Sequence, residues 1–217
     1  MKKTIPLIVF VAVCLIDFIA IYFKNQTVIY FVKPLLMVTL FWYYNTHKKQ
    51  TNNYFLLGLF FSFLGDILLM GKGQLFFVLG LLFFLTAHVF YIILVSKNLI
   101  KIKLNQLVIA SIPYVAFFIV LLNILYDSLG VMKIPVIIYA ITISIFGVFS
   151  LLLYLQKKTK ARLILVIGVV TFVISDTVLA LNLFYKSQTY FPLLIMMTYV
   201  TAQFLICRFA LNLNTKK

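Results

Sequence analysis

Glutamate is absent from this 217-residue chain, and its four carboxylates are all aspartate. Histidine and cysteine occur twice each, tryptophan once, proline five times and glycine eight times. Cys14 and Cys207 lie in the first and last apolar runs without metal-ligand spacing, and they read as small buried packing residues. No HExxH, CxxC, glycine-rich phosphate loop or serine nucleophile elbow is present. With no glutamate and two histidines, a dedicated metal site is not expected, the one available combination being two Asp with His88. No cofactor is expected either. Charged residues make up 11% of the chain, against roughly a quarter in soluble domains. That shortage excludes an ordinary soluble fold.

What is abundant is apolar sequence: 65% of the residues are hydrophobic, with a mean hydropathy of +1.14. The class is an all-α, polytopic membrane protein. A net charge of +15 could point to nucleic acid, but the cations fall in short clusters between apolar runs, as in positive-inside loops. No nucleic-acid partner is expected. The run after Met1-Lys2-Lys3 is too long for a signal-peptide core and lacks a small-residue cleavage site, so it reads as a first membrane helix.

Eight apolar segments are long enough to cross a hydrocarbon core of about 30 Å. They are Ile5–Phe23, Val28–Tyr44, Tyr54–Met70, Leu75–Val95, Gln106–Leu125, Ile134–Leu155, Arg162–Leu183 and Phe191–Leu211. Short connections and the lack of a Pro-, Gly- or Ser-rich linker predict a single domain over residues 1–217. On the side of the N-terminus fall fourteen cations: Lys2, Lys3, Lys48, Lys49, Lys97, Lys101, Lys103, Lys157, Lys158, Lys160, Arg162, Arg208, Lys216 and Lys217. The opposite side carries Lys24, Lys72, Lys133 and Lys186, and Lys33 lies inside a helix. This asymmetry predicts cytoplasmic termini, in a bacterial inner membrane, and an odd number of spans would scramble it.

The chain is organised around Phe63-Leu-Gly-Asp-Ile-Leu-Leu-Met70, where Asp66 interrupts an apolar helix. An ionisable group at such depth is costly and marks a functional site unless a partner explains it. The pattern recurs: Gly58, Gly65, Asp66 and Leu69 match Gly168, Ser175, Asp176 and Leu179 in spacing. One span later, Thr86-Ala87-His88 is echoed by Thr201-Ala202-Gln203. Two parallel four-helix repeats, residues 1–105 and 106–217, would bring Asp66 and Asp176 face to face. At about 1.5 Å per residue, Asp66 lies some 18 Å and Asp176 about 21 Å from the cytoplasmic starts of their helices. Asp17, Lys33, Tyr199 and Gln203 fall in the same layer.

Paired buried carboxylates set up acid–base chemistry, or else a structural network with Lys33. Lys33, which precedes the helix-bending Pro34, is either a counter-ion or a ligand for a lipid phosphate or glycerol. His88 is either a hydrogen-bonded core residue or part of the site. Tyr91 and Tyr199 are either packing aromatics or substrate contacts, and Gln203 joins them by depth. Asn182 is a substrate contact or a helix cap. Asp17 reads as a structural partner, and Asp127 as a solvated loop residue.

The segments LGDILLM, GLLFFLTAHVFYI, VISDTVLALNLF and MMTYVTAQFLI, with Lys33-Pro34-Leu35 upstream, resemble the YhhN-like lysoplasmalogenase family. The resemblance runs from the second apolar segment to the eighth, with the paired Gly-Asp and Ser-Asp helices as its specific part. It implies an eight-helix membrane enzyme with Asp66 and Asp176 as catalytic carboxylates. The implied substrate is a lysophospholipid, lysoplasmenyl-ethanolamine or lysoplasmenyl-choline. Hydrolysis of its sn-1 vinyl ether gives a fatty aldehyde and a glycerophospho-alcohol, and the surrounding membrane lipids are the other partners. Two other classes fit the residues: a proton-coupled small-molecule or lipid transporter, and a non-catalytic lipid-binding membrane protein.

Overall fold

A computed structural model describes residues 3–213. It contains eight α-helices: α1 (Ile5–Tyr22), α2 (Gln26–His47), α3 (Asn53–Leu69), α4 (Gln74–Ser96), α5 (Leu104–Leu125), α6 (Lys133–Gln156), α7 (Lys160–Phe184) and α8 (Phe191–Leu211). A single 3-10 turn, Gly130–Met132, leads into α6. Among the described residues there is no strand. Seven of the helices are long and apolar enough to cross a membrane; α3, at 17 residues, is shorter. The protein is an integral, multi-pass, all-α membrane protein.

Several helices extend past the apolar windows read from sequence, because capping side chains rather than hydropathy set their ends. Asn25 accepts from the Val28 amide at 3.2 Å, Asn52 from Tyr54 and Phe55 at 3.1 Å, and Thr159 from Arg162 at 3.3 Å. Each satisfies amides that a helix start leaves without partners. In a low-dielectric surrounding the remaining hydroxyls mostly serve their own helix. Thr86, Thr142, Thr171 and Thr201 all donate to the carbonyl four residues back.

The end of α1 breaks a local rule. Asn25 donates to the Ala20 carbonyl at 2.9 Å and Lys24 to Ile21 at 3.0 Å, the paired bonds of a Schellman cap. The residue in the left-handed position is Lys24, at φ 55°, the one non-glycine residue with positive φ among those described. A side chain there costs about 1 kcal/mol relative to glycine.

Consecutive helices pack against each other except α4 and α5, with α3 on α4 and α7 on α8 the most extensive packings. Further contacts join α4 to α6, α6 to α7, α2 to α3, and α8 to α1, α2 and α3. The bundle therefore has a hairpin end, with the α1–α2, α3–α4, α5–α6 and α7–α8 turns, and a terminal end with the other connections. Lys2, Lys216 and Lys217 of the predicted cytoplasmic set lie outside the described residues. A continuous core of aliphatic and aromatic side chains, among them Leu36, Leu40, Tyr44, Phe55, Phe146 and Phe172, fills the bundle. Large apolar side chains such as Ile8, Phe31, Ile112 and Ile167 remain exposed on its outside, as expected where hydrocarbon rather than water surrounds the helices.

Candidate functional site: two aspartates on one cavity

Hydroxyls that leave their own helix locate the polar interior. Tyr199 on α8 donates to Asp66 Oδ2 on α3 at 2.7 Å, and Tyr139 on α6 donates to Asp176 Oδ2 on α7 at 2.6 Å. Ser175, next to Asp176, donates to the Ile195 carbonyl of α8 at 3.0 Å. All of these residues line one cavity of about 210 Å3. It also takes in Lys33 of α2, so five helices contribute polar groups to it. In each carboxyl the other oxygen, Oδ1, has no hydrogen bond to the described protein, leaving it free to meet a ligand.

The remaining wall is apolar. Phe77, Leu81 and Phe84 of α4, Val136 of α6 and Leu179, Ala180, Leu183 and Phe184 of α7 line it toward the hairpin end. Lys33, Leu179, Ile195 and Met196 also line a second, larger cavity of about 560 Å3. That second space reaches the α1–α2 and α7–α8 turns and includes Asn182. Asn182 Oδ1 accepts from Ser187 Oγ at 2.8 Å, across the end of α7.

The other sequence-derived candidates stand behind the cavity wall. Tyr91 donates to Gln203 Oε1 at 2.8 Å, and the Gln203 amide donates to Ser62 Oγ at 2.9 Å and toward the Tyr199 oxygen at 3.5 Å. Tyr91 and Gln203 thus reach Asp66 only through Tyr199. His88 is fully buried and neither ring nitrogen is hydrogen-bonded. It packs edge-on against Phe172, with ring centroids 4.6 Å apart, and against Tyr139 at 5.4 Å. It is absent from the residues lining either cavity. Asp17 is also fully buried with both oxygens unpartnered. Asp127 is exposed in its loop.

Sequence reasoning missed Tyr139 and Ser62, and read Ser175 only as the small residue before Asp176. Depth matching offered a signal for the first. Tyr139 is the one aromatic in the aliphatic stretch Ile134-Pro-Val-Ile-Ile-Tyr-Ala-Ile141, at a level close to that of Asp176. Ser62 lies one helical turn before Asp66 and so shares its face. Among the described residues no group of three His, Cys, Asp or Glu side chains forms a metal-binding cluster, so His88 and the two aspartates do not assemble one.

Gly58 lets Tyr91 into this network, since a Cβ there would overlap the Tyr91 ring. That ring is fully buried and stacked between Phe55 and Phe146. Gly58→Ala is expected to cost about 1–3 kcal/mol through overpacking, read as a lower thermal unfolding midpoint of the purified protein. An unchanged midpoint would show that Tyr91 yields easily and does not fix the network.

No curated protein and no solved structure matches the chain. The YhhN family model matches residues 28–210, a stretch that contains every residue lining the cavity. The chain belongs to the YhhN family.

Proposed function

We propose that this protein is a membrane hydrolase that cleaves the sn-1 vinyl ether of lysoplasmalogens by acid–base catalysis with Asp66 and Asp176. The observation that carries the reading is the convergence of both carboxyls on one largely apolar cavity, each held by a single tyrosine hydroxyl. A vinyl ether is hydrolysed by protonation of its alkene carbon, followed by capture of the resulting oxocarbenium ion by water. One carboxyl must therefore give a proton to carbon while a nearby anion faces the cation.

We assign Asp66 as the anion and Asp176 as the acid, on a cavity that Lys33 also lines. Asp176 protonates the alkene carbon distal to the ether oxygen. Water then adds to the carbon bonded to that oxygen and gives its proton to Asp66. As the hemiacetal collapses, Asp66 returns this proton to the departing glycerol oxygen and Asp176 takes the hemiacetal proton. Both carboxyls end as they began, with aldehyde and glycerophospho-alcohol as products. Tyr139 and Tyr199 hold the two carboxyls, and Gln203, Tyr91 and Ser62 hold Tyr199.

The cavity size favours a single-chain substrate. A cavity of about 150 Å3 accommodates benzene, so about 210 Å3 takes the enol ether and a few chain carbons. The rest of the chain passes out along the Phe77–Phe184 wall.

Eight spans with cytoplasmic termini belong to the same proposal. With 17 residues, α3 rises about 25 Å, enough with local thinning of the bilayer. Eleven of the predicted cytoplasmic cations fall at the terminal end of the described bundle, against Lys24, Lys72, Lys133 and Lys186 at the hairpin end. Two parallel repeats are supported by matching packing. Gly58 faces the Tyr91 ring of α4, and Gly168 faces Leu205 of α8 first and then the backbone of Ala202 and Ile206. Counted from Ala87 and Ala202, Tyr91 and Ile206 are equivalent positions.

The test is release of long-chain aldehyde from lysoplasmenyl-choline by the purified protein in neutral detergent. Without a sealed compartment no gradient exists, so turnover there separates a hydrolase from a proton-coupled carrier. Absence of aldehyde from either lysoplasmenyl headgroup would overturn the reading.

A further inference from the structure

The second cavity carries chemistry that hydrolysis of an ether bond does not require. It opens at the hairpin end, between the α1–α2 turn and the α7–α8 connection, and it adjoins the aspartate cavity through Lys33, Leu179, Ile195 and Met196. Two cations, Lys24 and Lys33, line it, and no acidic residue does. Asn182 and Gln188 add side-chain amides, and Ser187 and Thr189 add hydroxyls. Because the Asn182 carbonyl oxygen already accepts from Ser187, its NH2 group is the part left to donate to a ligand.

Lys24 supplies a second, independent observation. It occupies the left-handed position of the α1 cap, where glycine is favoured, and the chain does use glycine at its other positive-φ positions, Gly73 and Gly130. Retaining a lysine at a strained backbone position is explained when its side chain does something there. Lys24 also adds a cation at the hairpin end, the end with few. Two ammonium groups and an amide donor around a space without carboxylates match an anion with several acceptor oxygens.

We infer that this vestibule binds the phosphate of a single-chain phospholipid, with Lys24 and Lys33 as its cationic ligands and Asn182 and Gln188 as amide donors. The inference rests on the lipid-hydrolase reading for what happens to the chain, but the phosphate site stands on its own residues. It sets the orientation of the substrate. The headgroup lies between the α1–α2 and α7–α8 turns, the glycerol passes Lys33, and the chain crosses between Asp66 and Asp176 toward α4 and α6. It also sets selectivity: a neutral single-chain glycerolipid lacks the group the vestibule holds.

The experiment measures binding, not turnover, with the full-length protein in neutral detergent. The probes are hexadecanoyl lysophosphatidylcholine, which has no vinyl ether, the monoacylglycerol of the same chain, glycerophosphocholine, and inorganic phosphate. The wild-type protein should bind the lysophospholipid about tenfold or more tighter than the monoacylglycerol, as for loss of a charged hydrogen bond. Lys24→Gly should weaken lysophospholipid binding by about tenfold. It should leave monoacylglycerol binding unchanged and not lower the unfolding midpoint, because the backbone strain is relieved. Lys24→Arg should retain the preference. Equal affinity for the two lipids, or unchanged lysophospholipid binding in Lys24→Gly, would overturn the inference. Inorganic phosphate or glycerophosphocholine binding as tightly as the lysophospholipid would overturn the lipid assignment and make the ligand a soluble phosphate. Aldehyde release that survives a failed binding result would sink the vestibule alone; binding without aldehyde release would sink the hydrolase alone.

Discussion

Asp66→Asn and Asp176→Asn are each expected to lower kcat on a lysoplasmalogen by about 10^3-fold or more, the range of a lost general acid or base. Asparagine keeps the shape of the side chain, and its carbonyl oxygen still accepts the hydroxyl of Tyr199 or Tyr139. The fold should persist, so the purified variants should stay monodisperse with unfolding midpoints close to wild type. What is lost is specific. The variant at 176 has no proton to deliver to carbon, and the variant at 66 has no negative charge to set against the oxocarbenium ion. The double variant should be hardly worse than either single one, because the two carboxyls complete one reaction cycle together. Steady-state aldehyde release measures all three. A single variant that kept more than about a tenth of wild-type kcat would remove that residue from acid–base duty.

The tyrosines add a graded version of the same test, since each holds one carboxyl without exchanging a proton with substrate. They also show how far the sequence could be read. Asp66, Asp176 and Lys33 were legible because a charge within an apolar helix is too costly to be incidental. Spacing then placed both aspartates in one layer, and the fold brings them to one cavity. Tyr139 was not legible. A tyrosine is unremarkable in a chain with 13 of them, and only the packing of α6 against α4 and α7 turns its hydroxyl to Asp176. Serine is equally silent, because most membrane hydroxyls bond to their own helix. Ser62 and Ser175 differ only in where their neighbours sit.

His88 shows the opposite limit. Its depth and chemistry made it a candidate, but α4 is apolar on all sides, so no amphipathic stripe fixes its rotation. The structure turns His88 toward Phe146, Phe172 and the back of Tyr139. Helix ends were offset for a related reason. Hydropathy finds the membrane-buried part of a helix, whereas Asn25, Asn52 and Thr159 decide where its backbone begins. The vestibule was the least visible feature. Lys24 reads as one more loop cation until its φ of 55° and its place on the same cavity as Lys33 are known.

The measurement that bears most directly on the account follows the proton itself. Acid hydrolysis of a vinyl ether transfers a solvent-derived hydrogen to carbon, whereas ester or phosphodiester hydrolysis does not. With lysoplasmenyl-choline turned over in D2O and the aldehyde reduced at once, the product should carry one deuterium on the carbon next to the former carbonyl. Immediate reduction matters, because enolisation of free aldehyde would add label later. The rate should also fall in D2O beyond the viscosity effect, as general acid catalysis to carbon requires. One deuterium per aldehyde from the wild-type protein, and aldehyde release slowed by about 10^3-fold or more in Asp176→Asn, is the predicted result. Aldehyde released by the wild-type protein without that deuterium would contradict protonation of the vinyl ether by the Asp66–Asp176 pair.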